Sequence, residues 1–287
     1  MNKIGIYPNV SKKNIRNITE KIIKWFECNN FSVSLPVDIA THIELSNYAE
    51  KNDELLKTAD MCITLGGDGT LLNIAKVVAP YDIPILGINL GHLGFLTEVE
   101  FPDLFSELEH LKTKKYFIDT RMMLEAEVTR DNRILKSFFA LNDVVVTKGP
   151  FARLIRLKTS AGGAYIDTYP ADGIIISTPT GSTAYSLSAG GPIIKPDMEL
   201  MLLTPICPHT LQSRSIVIST NDTVKIQVIA EHPEVMVTVD GQQGYELLPG
   251  DEVTVKKSIY KTKLVRIKNR SFYDILRKKL SETNFVD

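Results

Sequence analysis

Cysteine is scarce in this chain of 287 residues: Cys28, Cys62 and Cys207 are the only three, far apart and odd in number. That excludes a disulfide framework, and the wide spacing excludes a Cys-rich tetrahedral zinc site. Charge of either sign is not in excess, since 33 Lys plus Arg face 34 Asp plus Glu. No general attraction to nucleic acid or to an anionic membrane surface follows, so any phosphate-bearing partner must be bound locally. Long apolar runs are missing, and Met1 to Tyr7 lacks the basic-then-apolar pattern of a secretory signal. A cytoplasmic protein with no membrane and no nucleic-acid partner is expected. Repeats and low-complexity stretches are absent too, while 44% of residues are hydrophobic, enough for a sizeable core.

Two periodicities divide what is there. In the first part, short apolar runs alternate with helical patterns. Lys3–Tyr7 reads as a strand, and Ser11 as the cap of a helix whose Ile15, Ile18, Ile22 and Trp25 form one buried stripe. Phe31–Val37, Met61–Leu65 and Ile83–Ile88 read as further strands, and Thr70–Ala79 as a helix stopped by Pro80. Such alternation predicts βαβ units, a parallel sheet and ligands at the carboxyl ends of its strands. After about Asp119 the period becomes two. Met122, Leu124, Ala126 and Val128 alternate with polar residues up to a turn at Asp131–Asn132, and Ile134–Val146 reads as the return path. Strand-like Leu154–Thr159, Val224–Ile229, Val235–Val239 and Val253–Lys257 follow, with turns at Gly162–Gly163 and Pro249–Asp251. The expected fold is therefore an N-terminal α/β domain with a parallel, Rossmann-like sheet plus an antiparallel all-β C-terminal domain. The expected boundaries are 1–118 with 270–287, and 119–269. The final amphipathic segment, with Phe272, Ile275, Leu276 and Leu280 on one face, is expected to pack back on a domain and bury those side chains.

Two motifs carry chemistry. Gly66-Gly67-Asp68-Gly69-Thr70 lies between a buried strand and a helix. Glycines there let backbone approach a ligand, and amides at the helix start favour phosphate. A carboxylate inside such a loop does not suit pure anion binding. Asp68 makes better sense as a group that orients or deprotonates an attacking hydroxyl or helps hold a metal, although a tight turn with an outward Asp explains a lone motif equally well. The second motif, Asp172 to Pro192, concentrates hydroxyls and glycines directly after a buried strand. Thr180, Gly181, Ser182 and Thr183 can offer amides and hydroxyls to phosphate or ribose, and Tyr185 an aromatic wall to a base. Asn142-Asp143, Asp240-Gly241-Gln242 and the Gly91-His92-Leu93-Gly94-Phe95 run are weaker signals. Phe95 reads first as a core aromatic, and His92 and His209 as structural histidines. Asp240-Gly241 reads as a hairpin turn.

In this order the motifs resemble the NAD kinase family, bacterial type, over nearly the whole chain from Ile4 to the last helix. Gly66 to Thr70 is similar to its Gly-Gly-Asp-Gly-Thr signature, Leu90 to Leu96 to its Gly-x-Leu-Gly-Phe segment, and Asp172 to Pro192 to its Thr-Pro-Thr-Gly-Ser-Thr-Ala-Tyr motif. The first signature is shared with diacylglycerol and sphingosine kinases, which leaves a lipid or sugar kinase as the rival reading. The resemblance implies transfer of the ATP γ-phosphoryl group to the 2′-hydroxyl of the adenosine ribose of NAD, giving NADP. It implies Asp68 as proton acceptor, and Asp68, Gly69, Phe95, Asn142, Asp143, Arg153, Asp172, Thr183, Ala184, Tyr185, Ser186, Leu187, Ser188 and Gln242 as NAD contacts. Magnesium or another divalent metal arriving with ATP, polyphosphate as a conceivable donor, and a homodimer or homotetramer complete the implication. An NAD site drawing on both regions of the chain is expected. The chain departs from the family pattern at Asp143, where glutamate is commoner, at Pro170, where many bacterial relatives are basic, and at Ser215, where proline often follows the arginine.

Overall fold

The computed structural model describes residues 3–91, 94–149, 154–210, 212–229 and 235–282. It divides into two compact units, Met1–Thr120 with Thr262–Asp287, and Arg121–Lys261.

The first unit opens with strand β1 (Lys3–Pro8), helix α1 (Ile15–Cys28), β2 (Ser32–Pro36), α2 (Val37–His42), β3 (Ala49–Glu50) and α3 (Asn52–Thr58). Then come β4 (Met61–Gly66), α4 (Asp68–Val78), β5 (Ile85–Asn89), β6 (Val99–Glu100) and α5 (Leu104–Lys112). β4 and β5 are buried at every residue, as expected of strands covered by helices on both faces. The sheet runs β5-β4-β1-β2-β3 with parallel pairing throughout, so all its strand ends point one way. Its core gathers Ile4, Ile6, Ile63, Leu65, Leu86 and Ile88 from the strands with Ile22, Phe26 and Leu108 from the helices.

The α1 stripe differs from the expected one. Asn14, in left-handed backbone, precedes the first helical residue, while Ser11 donates to the Asn9 side chain instead of capping. The helix buries Ile15, Thr19, Ile22, Ile23 and Phe26, and Ile18 and Trp25 flank that face half-covered. Helix α4 begins two residues earlier than Thr70, which places Asp68 in its first turn and not in the loop before it. The short helices α2, α3 and α5 were not legible as periodic patterns.

In the second unit β7 (Phe117–Arg130) turns at Asp131–Asn132, both in left-handed backbone, into β8 (Arg133–Ala140). The return path from Ile134 to Val146 is not one strand: it breaks at Leu141–Asn142, and β9 (Asp143–Lys148) joins a different sheet. β10 (Ile155–Ala161), β11 (Ala164–Ala171), β12 (Gly173–Ser177), the single-turn helix α6 (Tyr185–Ser188), β13 (Met201–Ile206) and β14 (Ile216–Ile218) follow. They are succeeded by β15 (Val224–Ile229), β16 (Val235–Val239), β17 (Gln243–Leu247) and β18 (Glu252–Arg266), which runs on well past Lys257. One sheet joins β11-β10-β15-β18 with β7 and β8, and the other is ordered β14-β13-β12-β9-β16-β17. Alternate residues of both meet in one core, among them Leu124, Val144, Leu157, Ile174, Ile226 and Val237. A tight corner of this unit is locked by Arg130, whose Nε and Nη2 reach the two Asp251 carboxylate oxygens at 2.7 and 2.9 Å.

The last helix, α7 (Phe272–Glu282), belongs to the first unit, but its apolar face is less covered than its periodicity predicts. Phe272, Ile275 and Leu276 are half-buried and Leu280 is exposed, and Arg270, Asp274, Lys278 and Lys279 stand beside Ile275. Among the described residues no helix is long and apolar enough to cross a membrane.

Candidate active site

In the first unit the carboxyl ends of β1, β4 and β5 place Asn9, Gly67–Thr70 and the segment after Asn89 side by side, as parallel sheets do with their ligand-binding loops. Asn9 Nδ2 donates to Thr70 Oγ1 at 3.2 Å. Gly66 has no room for a side chain, since a Cβ there would lie 2.2 Å from Thr70 Oγ1.

Asp68 turns from the start of α4 toward the loop after β5 and is half-buried there. Its Oδ2 accepts the Phe95 amide at 2.8 Å; Oδ1 accepts the Thr97 amide at 3.1 Å and the Thr97 hydroxyl at 3.2 Å. The Leu96 amide is shared between the two oxygens at 3.2 and 3.3 Å. Three successive amides and a hydroxyl thus cradle one carboxylate, an arrangement of charge-assisted bonds that fixes its orientation. Thr97 Oγ1 in turn accepts from Asn89 Nδ2 and from the Gly94 amide. Gly94 must be glycine: an added Cβ would sit 2.0 Å from Asp68 Oδ1. Among the described residues no group of three His, Cys, Asp or Glu side chains could hold a metal ion.

The second unit gathers most of the other residues singled out in the sequence around the break at Leu141–Asn142. Asp240 supplies the reason for that break. Its carboxylate accepts the amides of Leu141, Asn142 and Asp143 at 3.2, 2.8 and 3.2 Å, donors that a continuous strand would have spent on its neighbour. The turn expected at Asp240-Gly241 is present, with both residues in left-handed backbone, and it brings Gln242 to the same edge. The Asn142 carbonyl accepts the Thr178 amide, and Gly181 packs so closely on it that a Cβ would lie 2.1 Å from the oxygen. Asp143 is buried at this edge. Desolvation, with the neighbouring Asp240 charge added, pushes its carboxyl up to about 7.

The hydroxyl-rich motif is used differently from the expectation. Thr178 Oγ1 donates to the Leu141 carbonyl at 2.6 Å, Ser182 Oγ to the Pro179 carbonyl at 2.7 Å, and Thr180 Oγ1 accepts from buried Arg121. Ser186 is fully buried with its hydroxyl on Thr204, which also meets Ser215. The Thr178 and Ser182 hydroxyls thus satisfy backbone carbonyls of a compact turn, while those of Thr180 and Ser186 are taken up by other side chains. What the turn presents outward is Thr183 and Ala184, half-buried, Tyr185, 47% exposed, Leu187, half-buried, and exposed Ser188. Asp172 is not brought to this group. It stands at the other end of β12, on the order of 20 Å along the strand, where Lys148 Nζ pairs with it at 2.8 Å. Gly69 is exposed in the first turn of α4. Phe95 is half-buried in the Asp68 cradle and not a core residue. Arg153 and His92 lie outside the described residues. Gly94 figured in the sequence only within a weak glycine-containing run, and Thr97, Glu98 and Arg266 were passed over; the signal left unused is the charges set within the apolar ends of Leu96–Val99 and Leu264–Ile267.

A cradled carboxylate at the start of a helix, at the carboxyl edge of a parallel sheet, is an arrangement suited to a phosphotransferase that acts on a hydroxyl. Family models agree. Residues 4–116 match the ATP-NAD kinase N-terminal domain and residues 141–267 the ATP-NAD kinase C-terminal domain. The chain is 47% identical to the NAD kinase of Natranaerobius thermophilus over 281 residues, 98% of each chain. It is 46% identical to that of Caldanaerobacter subterraneus subsp. tengcongensis over 282 residues, 98% of this chain and all of the relative. The crystal structure of an NAD kinase from Archaeoglobus fulgidus in complex with ATP superposes with a TM-score of 0.74 at 25% identity, covering 98% of this chain and 99% of that one. The yeast NADH kinase, solved with NADH, shares the fold at a TM-score of 0.89 and 24% identity, covering all of this chain and 89% of that one. This chain belongs to the NAD kinase family, and its activity is that of a kinase with NAD as acceptor.

Proposed function

We propose that Asp68 accepts the proton of the adenosine ribose 2′-hydroxyl of NAD as that oxygen attacks the γ-phosphorus of ATP, with NADP and ADP as products. The observation that carries this reading is the cradle. Oδ1 already holds the Thr97 amide and hydroxyl and a share of the Leu96 amide, whereas Oδ2 holds one short bond, from Phe95, and the longer share of Leu96. Oδ2 therefore keeps a lone pair for a substrate hydroxyl. An unactivated ribose hydroxyl is a weak nucleophile and the γ-phosphate is shielded by its own charge, so orientation and charge neutralisation supply most of the rate. In this reading the donor phosphate lies by the start of α4, where Gly69 stands in the first turn. Magnesium comes with ATP as part of the substrate and neutralises charge on the phosphate oxygens.

Asn142, Asp143, Thr183, Ala184, Tyr185, Leu187, Ser188 and Gln242 supply NAD contacts, together with Phe95 beside the cradle and Arg153 from the family pattern. Ser186 acts by holding α6 from within, and Asp172 is assigned no part in this subsite. In this reading the segments 1–118 and 270–287 carry the transfer chemistry, and 119–269 most of the dinucleotide contacts. The enzyme works in the cytoplasm, where thiols stay reduced. It assembles as a homodimer or homotetramer, an association that would cover apolar side chains such as Ile134 and Ile259, 60% and 81% exposed.

The test is NADP formation from NAD and magnesium-ATP by the purified chain, beside the Asp68→Asn variant. Loss of a general base lowers turnover by about 10²-fold or more. ATP consumption with diacylglycerol or a sugar phosphate but not with NAD would transfer the site to the rival kinase reading.

A further inference from the structure

The Asp68 cradle is itself held from behind. Arg266, at the end of β18, and Glu98, just after the cradle, are 7% and 6% exposed at their side chains and pair at 3.2 Å. Arg266 Nη1 also donates to the Leu96 carbonyl at 3.0 Å, Nη2 to the Phe95 carbonyl at 3.4 Å, and Nε to Asp119 Oδ2 at 3.2 Å. Glu98 Oε1 accepts the Ile267 and Lys268 amides at 3.1 and 2.8 Å, which ties the loop to the segment that carries the arginine.

The two carbonyls belong to the peptide groups whose N–H ends face Asp68. The Phe95 carbonyl shares its peptide plane with the Leu96 amide, and the Leu96 carbonyl shares its plane with the Thr97 amide. A peptide group is rigid, so fixing the direction of C=O fixes that of N–H. A cation on the carbonyl side also polarises the group and makes its N–H a stronger donor. A guanidinium can hold two carbonyls and two carboxylates at once because its five donors lie in one rigid plane. Ion pairing alone gives little reason to bury it, since an apolar replacement of a buried pair is often neutral for stability.

We propose that Arg266 is a positioning residue for phosphoryl transfer, acting on Asp68 through the Phe95–Leu96 and Leu96–Thr97 peptide groups. The proposal rests on Asp68 being the proton acceptor. Its test is a double-mutant cycle on the full chain with Arg266→Lys and Asp68→Asn, reading kcat and KM for NADP formation under varied NAD and magnesium-ATP. Lysine keeps the charge and loses the fork. Arg266→Lys should lower kcat by roughly 10-fold or more with both KM values held within about 2-fold, as a small misplacement of a catalytic group does. In the Asp68→Asn background the same change should cost less than about 2-fold, because residues acting as a unit are not additive. A role confined to folding would scale both backgrounds equally and would lower the fraction of chains that bind NAD in calorimetry. Equal losses in the two backgrounds, or unchanged kcat in Arg266→Lys, overturn the proposal. Wild-type turnover in Asp68→Asn removes instead the assignment of Asp68. If Arg266→Lys does not fold, Glu98→Gln, which keeps the shape and the acceptor for the two amides, enters the same cycle with the same expected non-additivity.

Discussion

Gly94→Ala tests the carboxylate cradle without touching the carboxylate. A Cβ at that position lies 2.0 Å from Oδ1, 2.2 Å from Cγ and 2.3 Å from Oδ2 of Asp68, and nothing nearer opposes it. Ordinary contact needs about 3.5 Å, so the carboxylate must retreat by more than about 1 Å. Bonds now at 2.8 to 3.3 Å would then stretch beyond hydrogen-bonding length. Each bond to a charged group contributes about 1.5–3 kcal/mol, but water can replace part of this at a half-buried site, so the stability loss should be about 2 kcal/mol. The rate should suffer more, since a displacement of about 1 Å in a reacting group costs on the order of 10²-fold. Steady-state NADP formation and thermal melting of the purified variant measure the two effects. Gly91→Ala is the control. Among the described residues its Cβ would meet only Asn89 Oδ1, at 3.7 Å, an ordinary contact, and near-wild-type kinetics are expected. If Gly94→Ala turned over within about 3-fold of wild type, the cradle would not be what makes Asp68 effective.

Three further outcomes follow from other parts of the molecule. Burial and the Asp240 charge raise the Asp143 carboxyl to about 7, so the folded chain holds a proton that the unfolded chain releases near pH 4. The stability tied to that proton is complete below about pH 4, falls as pH rises to about 7 and is then level, by at most about 4 kcal/mol. Asp143→Asn should therefore gain stability on wild type across that window, and a difference in melting temperature independent of pH from 5 to 8 would disprove the assignment. For Asp251, burial opposes ionisation, but the Arg130 bond, the Leu248 amide and the Arg130 charge outweigh it and hold the carboxyl below its usual range. Arg130→Met strands a carboxylate with no exposed side-chain surface; because the arginine is 36% exposed the cost should be about 2 kcal/mol, below that of a fully buried pair, and an unchanged urea midpoint would contradict it. The 2′-deoxy analogue of NAD should compete with NAD and never gain a phosphate, and mass spectrometry of any phosphorylated product would expose a wrong acceptor hydroxyl.

Much of this protein is written locally. The change of period near Asp119, the parallel strands read from apolar runs and the glycine-set Asp68 all depend on neighbours within about a dozen residues, which is the range over which pattern and turn chemistry act. Family membership was legible for the same reason, since its motifs are contiguous. Tertiary structure alone decided which atoms the motifs meet. Asp68 finds its donors 27 to 29 residues away, and Asp240 finds its amides at separations of 97 to 99. The Thr178–Ser186 hydroxyls look like ligand donors in the chain, yet those of Thr178 and Ser182 turn inward onto backbone carbonyls and that of Ser186 onto the Thr204 hydroxyl, because buried polar groups must find partners within the fold. The role of Arg266 was legible only as a charge within an apolar strand end. An arginine near the end of a strand is usually solvated, and only the fold shows that this one lies against two carbonyls about 170 residues earlier in the chain, behind the peptide groups that hold the Asp68 carboxylate.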